Sequence, residues 1–431
     1  MGSVSEANFS VQSEETTGFE SPRKERPLGV RERIPAIGLF EYWYPALKAH
    51  KVPWKKPVEA TLLGKRLVFF RDAQGEVVAL QNTCPHRGVD LSKGDCQFKG
   101  TLTCPYHAWV FDAQGECVAV LSEGPDSTIP GAKGTKARSY PTRTLKGNVF
   151  VWMGEGAPAP IEEDVPPELF DPEVIVMSSE RPWKANWRPS IENFIDAHVF
   201  YVHRNSIEVL TQPTGGVLTV LHQGPTRPPL QSVNGRFLRV APNTETVLDY
   251  MDRKKDDTPQ RKRDFQDAYP GLGGQKWPST RTRLYISKVC GFFRGLFKPT
   301  GPMSTNPEWT SGAHLPGTLH IDYHRWTYTR YEVPVDENNT NNFFFISWRG
   351  KTAWQRFFWP LYFHLYFNWK MTSNFSGQDA VMAEMTDYAA PERLSPTDLF
   401  LREWRRFVLD NARGLKKAAE SDPARGASAS A

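Results

Sequence analysis

Four residues in two short clusters constrain this chain more than anything else in it. They are Cys84-Pro85-His86 and, after seventeen intervening residues, Cys104-Pro105-Tyr106-His107. A structural zinc knuckle more often pairs like with like, as C-x-x-C or H-x(3–5)-H. Here each cluster mixes a thiol with an imidazole. Mixed pairs suit a two-iron, two-sulfide cluster in which one iron takes two thiolates and the other two imidazoles. Each loop then gives one ligand to each iron, so the two loop tips face each other. A small zinc site is the competing reading, and the spacing fits it poorly.

The remaining composition sets bounds. At 431 residues the chain is long enough for two domains. Five cysteines, two of them taken by the cluster, are too few for a disulfide scaffold and predict a reducing cytoplasm. Cys96 and Cys117 read as free buried thiols. The balance of 53 basic against 48 acidic residues leaves a net charge of +5. No block of Lys and Arg interleaved with aromatics marks a nucleic-acid groove.

Residues 1–37 mix charges freely, lack the apolar run of a secretory signal, and predict a mobile arm. From 38 to 154 the chain reads as a small all-β domain. Leu67–Phe70 and Val77–Leu80 flank Asp72-Ala73-Gln74-Gly75, a hairpin signal that Asp112-Ala113-Gln114-Gly115 repeats after the second cluster loop. Residues 155–172 are acidic and proline-rich, a linker rather than a helix or a central strand. Residues 173–415 form the second domain, with strands expected at 236–240, 283–289, 317–323, 328–334 and 342–348. Ser395-Pro396-Thr397-Asp398 predicts the start of a last helix, along which Leu399, Phe400, Trp404, Phe407 and Val408 recur at helical spacing. Residues 416–431 are a mobile tail.

Two further stretches carry chemistry. His198 and His203 are five apart, ~140° around an ideal helix, so they face one point only if the helix breaks or tightens between them. Two imidazoles and a carboxylate on one face of Fe(II) form the facial triad of non-haem oxygenases; ordinary packing of two aromatic-flanked histidines is the alternative. Residues 354–370 (WQRFFWPLYFHLYFNWK) are strongly aromatic but too short and too polar to span a bilayer. They suit a buried helix, a wall for a bulky apolar substrate, or shallow contact with a membrane surface.

CPHRGVDLS and LTCPYHAWVFDAQG resemble the Rieske domain of bacterial ring-hydroxylating oxygenases, the terminal components of multi-protein oxygenase systems. Respiratory Rieske proteins carry an extra Cys in each loop. Here Arg87-Gly88-Val89 and Ala108-Trp109-Val110 follow the two histidines, so the resemblance is to the low-potential type. It covers roughly residues 38–415 and is closest to the groups acting on carbazole, oxoquinoline and steroids. It implies an α+β chain: an N-terminal all-β Rieske domain, then a catalytic domain of antiparallel sheet and helices in a helix-grip-like arrangement. It assigns Cys84, His86, Cys104 and His107 to one [2Fe–2S] cluster per subunit.

The same resemblance implies one Fe2+ per subunit on His198, His203 and an acid far along the chain. Gly377-Gln378-Asp379 is similar to the family's segment that closes the triad, which makes Asp379 the expected ligand; Glu384 and Asp387 compete as solvated helix positions. Glu192, Asn193 and Asp196 fall on the family's segment leading into the histidines. Relatives use that Asp to bridge the two iron centres across a subunit boundary. Here only Ala197 separates Asp196 from His198, where the family usually has two residues, so Glu192 is the other candidate for the bridge.

The activity implied is a mono- or dioxygenase: O2 and electrons from a separate ferredoxin or NAD(P)H-dependent flavin reductase hydroxylate, or oxidatively demethylate, a bulky hydrophobic ring such as a steroid or polycyclic aromatic. No G-x-G-x-x-G follows a strand, so flavin and nicotinamide belong to that reductase. A homotrimer is expected. Desaturation or cyclisation on the same metals, and a simple Rieske electron carrier, remain open.

Overall fold

The computed structural model describes residues 29–195, 202–210, 230–240, 289, 309, 311–322, 326–350, 352–395 and 398–415. Short apolar runs separated by tight turns make the first ten strands: β1 (Trp43–Lys48), β2 (Val58–Leu62), β3 (Lys65–Arg71), β4 (Val77–Gln81) and β5 (Leu102–Thr103). Then come β6 (Trp109–Phe111), β7 (Cys117–Val120), β8 (Ser139–Tyr140), β9 (Thr142–Leu145) and β10 (Asn148–Trp152). They pair as β1-β10-β9, β2-β3-β4-β8 and β5-β6-β7.

The repeated Asp-Ala-Gln-Gly device works the same way twice. Asp72 Oδ1 accepts from the N–H groups of Gln74 and Glu76 at 2.9 and 2.8 Å, and Asp112 Oδ1 from those of Gln114 and Glu116 at 2.9 Å each. Each turn closes on a glycine of positive φ, Gly75 at 95° and Gly115 at 79°. At Gly115 a Cβ would stand 2.0 Å from the carbonyl oxygen of Ala137, so space as well as φ requires glycine. Val68, Phe70, Leu80, Leu91, Leu102 and Phe111 pack into a core beneath the two cluster loops.

The second sheet is built from β11 (Val174–Trp183), β12 (Leu230–Val233), β13 (Phe237–Val240), β14 (Gly312–His314), β15 (Thr318–Asp322), β16 (Trp326–Pro334) and β17 (Thr340–Arg349). Its order is β11-β17-β16-β15-β14-β13-β12, with antiparallel neighbours throughout. The strands expected around 236, 317, 328 and 342 are all present; the one expected at 283–289 lies outside the described residues apart from Val289. The helices are α1 (Trp187–Ile195), α2 (Ile207–Leu210), α3 (Ala353–Tyr362), α4 (Ser376–Met385) and α5 (Leu399–Asn411). Wide π-type turns carry the chain from Phe363 to Phe375 between α3 and α4.

β16 shows how the sheet serves two neighbours. Side chains alternate across a strand, and on one face Trp326 meets Phe367, Tyr328 Oη meets Ser376 Oγ at 2.8 Å, Arg330 meets Asp379 and Glu332 meets Ser190. This is the helix face. On the other, Thr329 Oγ1 contacts His320 Nδ1 at 2.8 Å, and Tyr331 packs edge-on against Phe150 of β10 and donates to the carbonyl of Asp164 at 2.8 Å. One continuous core therefore runs from β1 and β10 into the second sheet.

The proline-rich 155–172 stretch forms no α-helix or strand, but it is more than a spacer. Asp164, Val165, Glu168 and Leu169 are buried, in or beside two short 3-10 turns. The Asp164 carboxylate accepts from the Trp43 N–H at 2.9 Å and pairs with Arg413, so it joins β1 to the end of the chain. Burial pushes it up to about 7, against the pull of Arg413. Residues 29–37, part of the stretch expected to be mobile, are packed as well. Ile34 is buried, its carbonyl accepts from Arg188, and that of Pro35 accepts from Trp187 Nε1.

The last helix is regular from Leu399, and the Ser395 N–H donates to Asp398 Oδ2 at 2.5 Å, the contact a capping box makes at an N-cap; Pro396 and Thr397 lie outside the described residues. Trp404, Phe407 and Val408 are buried as their spacing requires. In the aromatic stretch Phe363, Phe367 and Met371 face the core, whereas Trp354, Phe357, Leu361, Leu365 and Trp369 are exposed. The expected buried helix is thus buried only in its π-type turns, and α3 itself has no buried residue. Among the described residues no helix is long and apolar enough to cross a membrane.

Candidate metal centres

Both cluster loops are tight turns at strand ends. In the first, the Cys84 N–H donates to the Val89 carbonyl at 2.8 Å and the Gly88 N–H to the Cys84 carbonyl at 2.9 Å. In the second, the Cys104 N–H donates to the Trp109 carbonyl at 2.8 Å, and Ala108 takes a φ of 51° to close the turn. These closures bring like ligands together. The thiols of Cys84 and Cys104 meet, both buried, and the rings of His86 and His107 stand 4.6 Å apart between centroids. Trp109 backs His86, its ring stacked 4.8 Å away.

The contact between the two thiols shifts them in opposite directions. Cys104 is pushed down to about 6, first by the Cys84 S–H directed at it and then, against burial, by the N–H groups of Tyr106 and His107. Cys84 is raised, by that same contact and by burial. His107 Nδ1 is buried and has no hydrogen-bond partner. An orphaned buried nitrogen costs free energy, and it is the donor a metal would use. Two thiols, two adjacent imidazoles and that bare nitrogen fit a His2Cys2 iron–sulfur cluster. Cys96 and Cys117 are buried free thiols.

The second site lies on the helix face of the larger sheet. His203 follows α1 after a gap in the described residues, and Asp379 sits in the first turn of α4. His203 Nε2 and Asp379 Oδ1 are 2.9 Å apart, and both side chains are nearly excluded from solvent. His203 Nδ1 lies 3.2 Å from Gln378 Oε1. Gln378 thus fixes the imidazole so that Nε2 faces the carboxylate. At that distance a proton or a cation lies between the two atoms. An imidazole nitrogen and a carboxylate oxygen this close are the atom types that would hold a non-haem Fe(II).

The surroundings hold Asp379 on all sides. Arg330 NH1 donates to its Oδ2 at 3.2 Å, and Asn193 Nδ2 donates to its backbone carbonyl at 3.2 Å. Arg330 Nε also donates to Glu332 Oε1 at 2.6 Å, and Glu332 Oε2 accepts from Ser190 Oγ at 2.6 Å. One guanidinium thus faces two buried carboxylates.

Asp196 and His198 lie outside the described residues. Glu192 turns away from the metal ligands. It accepts from Arg405 Nε and NH2 at 2.7 and 2.8 Å and from Tyr388 Oη at 3.2 Å. Glu384 and Asp387 are exposed, the first accepting from the Lys184 N–H and the second from that of Ala389. Sequence reasoning missed Arg330, Glu332 and Gln378. Arg330 and Glu332 did leave a signal: two charges alternating with Tyr331 and Val333 in an apolar strand point to one covered face, where they must be paired.

Residues 42–140 match the family described as Rieske [2Fe-2S] domain, and residues 152–222 the one described as homotrimeric ring hydroxylase. Among curated proteins, the chain is 34% identical over 174 residues to the terminal oxygenase component of carbazole 1,9a-dioxygenase from Metapseudomonas resinovorans, covering 40% of this chain and 44% of that one. It is 36% identical over 176 residues to the 3-chlorobenzoate-3,4-dioxygenase oxygenase subunit of Comamonas testosteroni, covering 39% of each. The chain therefore spans less than half the length of these relatives. Among solved structures, the terminal oxygenase of carbazole 1,9a-dioxygenase from Novosphingobium sp. KA1 superposes with a TM-score of 0.63 at 22% identity, covering 88% of this chain and 95% of that one. A complex of oxygenase and ferredoxin from a carbazole 1,9a-dioxygenase gives 0.62 at 21% identity, covering 89% and 92%. Residues 42–140 therefore carry a Rieske [2Fe–2S] domain, residues 152–222 match the homotrimeric ring hydroxylases, and the chain has the fold of the carbazole dioxygenase terminal oxygenases.

Proposed function

We propose that the protein is the terminal oxygenase of a multicomponent Rieske system and oxidises a hydrophobic ring compound with O2. Cys84, His86, Cys104 and His107 hold the [2Fe–2S] cluster; His198, His203 and Asp379 hold one Fe(II). When bound, the cluster supplies electrons and the Fe(II) site activates O2 for hydroxylation or oxidative demethylation. The chain's own work is to orient and to keep dry. Gln378, 3.2 Å from His203 Nδ1, orients the ring so that Nε2 faces Asp379, the kind of support common around metal-bound histidine. Asn193 steadies the backbone of Asp379, and Asp196 bridges the two metal centres.

The observation that carries this reading is the 2.9 Å approach of His203 Nε2 to Asp379 Oδ1, an imidazole and a carboxylate brought together and buried in a chain that also has a Rieske domain. Carbazole and 3-chlorobenzoate dioxygenases among the relatives favour an aromatic substrate, and the ferredoxin complex of a neighbour favours electron delivery by a ferredoxin and its flavin reductase. The homotrimeric description of the second family match supports a trimer.

The test is a single turnover. Protein loaded with Fe(II) and reduced at its cluster is mixed with 18O2 and, in turn, carbazole, a polycyclic hydrocarbon and a steroid, and products are read by mass spectrometry. Incorporated 18O with cluster reoxidation is expected for at least one ring compound. Reoxidation that never depends on bound Fe(II) would mean that the chain is an electron carrier only.

A further inference from the structure

We infer that Arg330 is a positioning residue for the mononuclear metal: it takes one carboxylate oxygen of Asp379 and so leaves that residue a one-oxygen ligand. The inference rests on the reading that His203 and Asp379 bind the metal. The two oxygens of the carboxylate face different groups. Oδ1 lies 2.9 Å from His203 Nε2, while Oδ2 accepts from Arg330 NH1 at 3.2 Å. A guanidinium that takes a lone pair of one oxygen in a charge-assisted hydrogen bond competes with the metal for that oxygen and fixes the direction it faces.

Arg330 has little freedom to yield. Its side chain is 1% exposed. Nε is bound to Glu332 Oε1 at 2.6 Å and NH2 to the Ser190 carbonyl at 3.3 Å, and the Trp183 ring lies 4.9 Å from the guanidinium carbon. Ser190 closes the loop by donating its hydroxyl to Glu332 Oε2 at 2.6 Å. Ser190 is on α1 and Asp379 on α4, so a rigid side chain from the sheet sets the carboxylate relative to both helices. A lysine cannot reproduce this, because its single ammonium lacks the fork that reaches three acceptors in fixed directions.

The measurement is cobalt binding to the otherwise intact protein, with the Rieske cluster in place, in the wild type, R330K and the double variant R330M/E332M. The double variant removes the guanidinium together with its second carboxylate, so Glu332 is not left buried without a partner. Circular dichroism and the Rieske absorption report folding; Co(II) titration reports affinity. The Co(II) d–d bands report whether the carboxylate gives one oxygen or two, which a merely structural role for Arg330 does not change. Folded R330K and R330M/E332M are expected to bind Co(II) roughly 10–100-fold more weakly, with weakened d–d bands as the second oxygen joins the metal. Wild-type affinity and wild-type bands in either folded variant overturn the inference. H203A keeps the two failures apart: if it binds Co(II) like the wild type, the metal reading itself is wrong.

Discussion

Arg405 grips Glu192 with both arms of its guanidinium, Nε to Oε1 at 2.7 Å and NH2 to Oε2 at 2.8 Å, across 213 positions of sequence. The same arginine holds Glu392 through NH1 and NH2. The final helix is thereby pinned to α1, the helix that leads toward the histidines. Burial raises the Glu192 carboxyl, and Arg405 opposes that rise.

Removing one side of this pair strands the other. Arg405→Ala should cost about 3–5 kcal/mol, the usual consequence of an uncompensated buried charge, whereas the double variant R405M/E192M should cost much less. Thermal unfolding of the three proteins checks this. Equal losses in single and double variants would show that the pair carries no special energy.

The bridge between the metal centres should lie on Asp196, since Glu192 is already engaged by Arg405 and Tyr388. Asp196→Asn keeps the shape and removes the negative acceptor, so cluster reoxidation by substrate and O2 should slow markedly in stopped flow. Glu192→Gln should lower stability but leave the reoxidation rate close to wild type. The reverse pattern would move the bridge to Glu192.

His107→Cys should abolish the rhombic EPR signal of mixed His/Cys ligation, because the buried, unpartnered Nδ1 is the atom the cluster requires. Either a different cluster signal or no cluster at all meets the expectation. An unchanged signal does not, and zinc without sulfide in the wild-type protein would remove the assignment.

Glu168 offers a pH test. It is buried, neither of its carboxylate oxygens is hydrogen-bonded, and it lies 3.9 Å from His320 Nε2. Burial pushes its carboxyl up to about 7 and His320 down to about 3. Between ~4.3 and 7 the folded chain keeps the Glu168 proton that the unfolded chain has released, so this group's contribution to stability falls as pH rises. His320, which refuses a proton in the folded state, acts in the opposite sense below ~6.5, so the comparison must be with a variant. Relative to wild type, Glu168→Gln should gain stability from pH 4 to 8, at roughly 1.4 kcal/mol per unit within the window. A difference in melting temperature that does not vary with pH would rule this out.

The meeting of Cys84, His86, Cys104 and His107 was legible because each half is local: three or four consecutive residues carry a thiol and an imidazole, and the turn that aims them is written in the same residues. His203 and Asp379 needed the resemblance, since 175 positions separate His203 from Gln378 alone and no local pattern links them. The burial of residues 155–172 was not legible. Proline excludes helix and sheet but says nothing about packing, and what buries Asp164 is Trp43, Tyr331 and Arg413, each remote in sequence. The outward half of the 354–369 aromatics was equally hidden, because those residues are apolar on every side of the helix.

Adjacent residues of β16 answer to different masters: Arg330 reaches the Asp379 carboxylate, and Tyr331 holds the carbonyl of Asp164. A pleated strand exchanges its two sets of side chains when it slips by a single position. Anyone reshaping this protein therefore has little room in β16, where one inserted or deleted codon would present a tyrosine to Asp379 and a guanidinium to the 155–172 stretch. Substitution without change of length, or grafting elsewhere in the chain, is the route such engineering must take.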